Sequence, residues 1–295
     1  MIKPPLNRFG NCHETLRRIR AARPMSLAWP RCRALGHAEW KKRARQAVFE
    51  ALHYDPGPRN LRPRVVKQVE TADFVGEKVV YRTAPWFETP AYFLLPKKGK
   101  PPYPAVYLMH EWGGNPLFGK ERVIQFGNEP PILVEHQRLH HSGRGLANEF
   151  TKRGYAVLAA DAFYFGERGP RGFANLPPKV DPYSLPIREA VAFHNQFGDS
   201  LFAAVRYLMW AGITWQGIFT WDDIRGVDYL VSRPEVDPNR IACTGLSVGA
   251  WRTNFLAALD DRIQASASIM WMTTGDAQHE PARRIARRAQ RASDW

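Results

Sequence analysis

From residue 64 onward, short apolar segments alternate with longer segments patterned as helices. Such alternation specifies a mostly parallel sheet with helices on both faces, and it puts any ligand site at the carboxyl ends of the strands. Extended runs are predicted at residues 78–83, 91–95 (ended by Pro96), 105–109, 155–160, 240–244 and 263–270. With 295 residues, 44% of them hydrophobic, the chain can bury a core of that kind, so disordered and collagen-like classes are excluded.

Upstream, residues 38–52 carry Trp40, Ala44, Ala47, Val48 and Leu52 at helical spacing, and the segment stops at Asp55-Pro56-Gly57-Pro58. The expected organisation is a basic N-terminal extension with one helix over 1–63, an α/β domain over 64–275 and an Ala/Arg-rich tail over 276–295. The net charge is +14, yet it sits at the ends: residues 1–45 hold 12 Lys and Arg against 2 acids, whereas 46–275 hold 25 against 23. A near-neutral body argues against a nucleic-acid-binding domain, because such a domain needs a phosphate-tracking face. No apolar run approaches the roughly 20 residues of a membrane span. The first residues lack the apolar stretch of a secretory signal, so a cytoplasmic location is expected. Cys12, Cys32 and Cys243 form no C-x-x-C pair, which predicts free thiols and no cysteine zinc site.

Two predicted strand ends carry chemistry. Gly245-Leu246-Ser247-Val248-Gly249 stands between the strand IACT and the helix-patterned AWRTNFLAAL, a strand, turn and helix context in which G-x-S-x-G exposes a nucleophilic serine. The N–H of Val248, at the helix start, can stabilise an oxyanion. The other strand end is His110-Glu111-Trp112-Gly113-Gly114, whose loop can supply a second oxyanion N–H from Trp112, with Glu111 as the neighbouring alternative. His110 is expected to brace that loop.

These segments, together with GYAVLAADAFYFGERG and WDDIRGVDYLVSRPEVDPNRIACTGLSVGA, make residues 64–275 resemble the α/β-hydrolase superfamily and, within it, the dienelactone-hydrolase and acetyl-xylan-esterase-like branch. The resemblance implies a three-layer α/β sandwich lacking its last strands, and a serine hydrolase acting on small ester substrates. Ser247 is then the nucleophile, with no metal and no organic cofactor. It further implies a helix over 221–233 with Ile224, Val227, Leu230 and Val231 facing the sheet.

The family places its acid and its histidine after two further strands, and the 25 residues after Met270 leave no room for them, since one βα unit with its return strand takes about 30. Asp276 and His279 keep the family's order but lie three residues apart, a difficult geometry for a base and its own acid. His136, His140, His141 and His194 lie in long insertions and read as exposed loop histidines; Asp161 reads as a loop brace; Asp260 and Asp261 belong to the opposite edge of the sheet. After Gly275 the composition changes to EPARRIARRAQRASDW, which suggests a break in the reading frame near 275–280. The expectation is an esterase impaired by truncation, with self-association through the uncovered edge of the last strand. Its rivals are a non-catalytic binding protein lined by Trp112, Phe163, Tyr164, Phe165 and Trp215, and an acidic-partner contact through residues 1–45.

Overall fold

The computed structural model describes residues 12–57, 60–171 and 181–271. They fall into a small unit, described over 12–46, and a large unit, Ala47–Trp271. In the small unit lie helices α1 (His13–Ala21) and α2 (Trp29–Cys32) and the start of α3 (His37–Leu52), which matches the helix predicted at 38–52. Trp40 organises this unit: its indole donates to the Leu27 carbonyl at 2.8 Å and its ring lies 5.0 Å from that of Trp29.

The large unit is built on seven strands: β1 (Arg64–Glu70), β2 (Phe74–Ala84), β3 (Phe87–Pro96), β4 (Tyr103–Met109), β5 (Ala156–Ala160), β6 (Val236–Leu246) and β7 (Ile263–Ile269). They lie in the order β1-β2-β3-β5-β4-β6-β7. The first three pair antiparallel and β3 meets β5 antiparallel, while β5, β4, β6 and β7 are parallel. Among the described residues the unit also holds the end of α3 and the helices α4 (Pro131–His141), α5 (Leu146–Lys152), α6 (Ile187–Trp210), α7 (Trp215–Val231) and α8 (Val248–Leu259).

The central strand shows why the sheet is buried on both faces. Along β4, Ala105, Tyr107 and Met109 enter one core cluster with Val227 and Leu230 of α7 and Leu256 of α8, while Val106 and Leu108 enter another with Ala147 of α5. All five of these β4 residues are buried, so this part of the strand reads as a continuous apolar run, as a doubly covered strand must. Each fully buried large side chain, such as Phe93, contributes roughly 1.5–3 kcal/mol. A third cluster lies among the segments that follow β4, β5 and β6: Leu117, Phe118, Ala162, Phe165 and Val248 pack there against Phe193 and Phe197 of α6.

Two expectations need correction. Strand β1 was not foreseen: almost every one of its side chains is exposed, so it carries no apolar alternation to betray it. The helix before β6 begins at Trp215 rather than 221, because the Thr214 hydroxyl accepts the Gly217 N–H at 2.9 Å and caps it there. Within it Ile224, Val227 and Leu230 pack on the sheet, but Val231, in the last helical position, is 39% exposed. Among the described residues no helix is long and apolar enough to cross a membrane.

Candidate active site

Strand β6 ends at Leu246 and α8 starts at Val248, so a single residue makes the turn. Ser247 does so at φ 54° and ψ −113°, a left-handed backbone that costs a non-glycine residue of order 1–3 kcal/mol. The flanking glycines make it possible. A Cβ on Gly249 would lie 2.2 Å from the Met109 carbonyl oxygen, and one on Gly245 would lie 2.5 Å from the Gly249 carbonyl carbon. The start of α8 therefore rests on the end of β4 with no space between them. The Ser247 N–H donates to the Ile269 carbonyl at 2.9 Å, which fixes the turn to β7. The N–H of Val248, at the positive end of α8, meets no acceptor among the described residues.

The loop after β4 is held just as firmly. His110 is buried; its Nε2 accepts the Ala162 N–H at 3.1 Å, so Nδ1 is the nitrogen that donates to the Glu111 carbonyl at 2.9 Å. Burial holds its pKa well below the ordinary histidine range, and the neutral ring joins the end of β4 to the end of β5. Arg122, fully buried, donates through Nη1 to the carbonyls of Glu111 and Trp112 and through Nη2 to that of Asn115. Burial pushes the Arg122 guanidinium down to about 10, which still leaves it charged at neutral pH. With the loop carbonyls turned toward Arg122, the Trp112 N–H is left without an acceptor among the described residues. Gly113 and Gly114 have φ of 52° and 75°.

Asp161 braces, as expected. Its carboxylate accepts the Lys120 N–H at 2.9 Å, the Lys120 ammonium at 2.8 Å and the Glu167 N–H at 3.0 Å. Burial raises the Glu167 carboxyl, but the Lys120 ammonium at 2.5 Å and that of Lys78 bring it below the usual range.

Of the sequence candidates, Val248 directly follows Ser247, and Trp112 packs against the cluster that contains Val248. Phe163, Tyr164, Phe165 and Trp215 join the same cluster: Phe165 is 5.7 Å from Trp112 and 6.4 Å from Trp215, so these rings are packing. Asp276 and His279 lie outside the described residues, and among those described no histidine bonds the Ser247 hydroxyl. Asp260 holds Arg262 at 2.6 Å in the turn before β7, away from the strand ends.

The reading of the histidines as exposed loop residues is overturned for two of them. His136 and His141 lie on α4, 5% and 6% exposed, and both face the buried carboxylate of Glu111. Of the three histidines on that helix, His140 is the exposed one; His194 lies on α6, half-buried, with its Nδ1 unpartnered among the described residues. Sequence spacing gave no sign of Arg122, Lys120 or the Glu111 cluster, because their partners are backbone carbonyls or residues far along the chain. A cavity of about 900 Å³ opens elsewhere, beside Tyr92, Phe118, Glu121 and Tyr183; neither Ser247 nor Trp112 lines it.

No protein-family model matches the chain. Over 225 residues it is 28% identical to a candidate hydrolase of Bacillus subtilis (strain 168), YtaP, a match covering 76% of this chain and 62% of that protein. Among solved structures it is similar to a candidate acetyl xylan esterase from Bacteroides fragilis NCTC 9343, with a TM-score of 0.58 and 23% identity over 78% of this chain and 52% of that one. It also matches the glucuronoyl esterase of Solibacter usitatus at a TM-score of 0.49 and 15% identity, covering 78% of this chain and 58% of that one. The chain thus spans less than two thirds of the length of each of these proteins. Sheet order, the strained serine between its two glycines and the likeness to the Bacteroides structure lead to one conclusion: this chain has the α/β-hydrolase fold.

Proposed function

We propose that this chain carries the nucleophile and the oxyanion hole of a carboxylic-ester hydrolase acting on small acetyl-ester or lactone substrates. The observation that carries the proposal is the backbone of Ser247, held at φ 54° between a strand end and a helix start, a strained conformation that a plain turn serine has no need to adopt. The likeness to a candidate hydrolase and a candidate acetyl xylan esterase supports the same chemistry.

In this reading the ester carbonyl sits between the Ser247 hydroxyl and the N–H groups of Val248 and Trp112. The hydroxyl oxygen attacks the carbonyl carbon, and its proton passes to a histidine. The alcohol leaves with that proton, and water then releases the acyl group from the serine. Val248 and Trp112 stabilise the oxyanion, a contribution worth a factor of about 10²–10³ for each donor. Asp276 and His279 keep the family's order of acid and base, but their three-residue spacing works against them; without a working base, binding and the oxyanion hole alone leave a residual acceleration of order 10³–10⁴ over water.

The test is labelling of the purified chain with a fluorophosphonate, beside a Ser247→Ala control, with the modified peptide located by mass spectrometry. Selective, saturable labelling at Ser247 is the expected result. A folded chain in which Ser247 reacts no faster than other serines would overturn the proposal.

A further inference from the structure

We propose that Glu111, His136 and His141 form a binding site for one divalent zinc-class metal ion, which ties α4 to the loop after β4. Three observations carry this. First, the donor set is two imidazoles and one carboxylate, the combination that holds zinc with a fourth position left for water. The three ligand atoms lie within 4.8 Å of one another, with His141 Nε2 3.5 Å from Glu111 Oε1 and His136 Nε2 in direct contact with the same oxygen. Tetrahedral zinc, with ligands at about 2.0–2.2 Å, needs its donor atoms roughly 3.4 Å apart, so small side-chain adjustments close the cluster on an ion.

Second, the site is buried but not satisfied. The side chains of Glu111, His136 and His141 are 2%, 4% and 1% exposed, and Glu111 Oε2 and both ring nitrogens of His141 have no hydrogen-bond partner among the described residues. Buried polar atoms are rarely left this way, because each forfeits its hydration without replacement. A hydrogen bond between Glu111 and His136 does nothing for His141. A metal ion takes a nitrogen from each histidine and an oxygen from Glu111 at once.

Third, the backbone makes room. A Cβ on Gly113 would lie 2.2 Å from His136 Cε1, so the glycine admits the ring to the loop. Because Glu111 precedes Trp112, an ion here would hold the backbone that carries the proposed oxyanion N–H. The site itself does not depend on what Ser247 does.

The experiment strips the full chain with a chelator and titrates it with zinc against a chromophoric competitor. One equivalent is expected to bind, with affinity weakened at least a hundredfold in His141→Gln and in His136→Gln and unchanged in His140→Gln, the exposed neighbour. A folded wild-type chain that binds no stoichiometric zinc overturns the proposal. So does binding that survives both buried substitutions. Circular dichroism checks that the variants fold; if they do not, X-ray absorption at the zinc edge of the loaded wild-type chain decides. A shell of two imidazole nitrogens with oxygen supports the site, and a shell containing sulfur or oxygen alone overturns it.

Discussion

Arg252 on α8 grips Asp223 on α7 through two nitrogens, Nε at 3.1 Å and Nη2 at 2.5 Å, with neither side chain more than 1% exposed. The Tyr107 hydroxyl of β4 donates to the same carboxylate at 3.0 Å. Two helices and the central strand are thus joined by one ionic node within the core. Removing a single partner strands the other charge where water cannot reach it. Arg252→Leu is expected to cost about 3–5 kcal/mol, and Arg252→Leu combined with Asp223→Leu substantially less than the two single costs together. Urea denaturation of the three variants measures this; equal, additive costs would show that the pair is not coupled.

Glycines in this chain are expected to respond oppositely to alanine. At Gly249 the new methyl would meet the Met109 carbonyl at 2.2 Å, a backbone atom that cannot rotate away. Gly249→Ala should destabilise by about 1–3 kcal/mol and slow Ser247 labelling at least tenfold. Gly198, inside α6, has open space around it, so Gly198→Ala should stabilise by roughly 0.5–1 kcal/mol. Thermal melts of both variants, side by side, check the opposite signs.

Arg122 is expected to matter for reactivity more than its distance along the chain from Trp112 suggests. Its guanidinium holds three loop carbonyls, and Arg122→Gln cannot span them. The rate of fluorophosphonate labelling should fall by about 10²-fold, the cost of one misplaced oxyanion donor. An unchanged rate would mean that the loop keeps its shape without the clamp.

The Cys243 thiol supplies a pH signature. Burial pushes its pKa up to about 12, with the Asp223 and Asp260 charges adding to the shift. In the unfolded chain a thiol ionises near 8.5, so between roughly 8.5 and 12 the unfolded state releases a proton that the folded state keeps. Stability therefore falls as pH rises through that window, and below it the contribution is fully present. Between pH 7.5 and 10.5, wild type should lose about 3 kcal/mol more than Cys243→Ala, measured from urea midpoints. Equal losses would refute the assignment to Cys243.

The sequence made some parts of this molecule legible and left others dark for physical reasons. Strands β4 and β5 were readable because burial on both faces forces uninterrupted apolar runs, and the tight turn at Ser247 because Gly-x-Ser-x-Gly stands there between a strand pattern and a helix pattern. Strand β1 was not, since an edge strand with exposed side chains leaves no periodic trace. His136 and His141 looked like surface residues because nothing in an eleven-residue polar helix reveals that it packs against a carboxylate 25 positions earlier. The node of Asp223 and Arg252 was invisible for the same reason: charge pairs across helices are set by tertiary packing, not by spacing.

The strand order also imposes a schedule on biosynthesis. Strand β4 has β5 on one side and β6 on the other, and both are made after it, the second more than a hundred residues later. At about 5–20 residues per second, the ribosome leaves this apolar strand without one of its neighbours for on the order of ten seconds. During that interval its open edge can pair with any other extended chain, and only the arrival of β6, which brings Ser247 with it, ends the exposure. The segment that carries the proposed chemistry is thus also the one that completes the centre of the sheet, so slow or interrupted synthesis before residue 246 should yield aggregate rather than a folded intermediate.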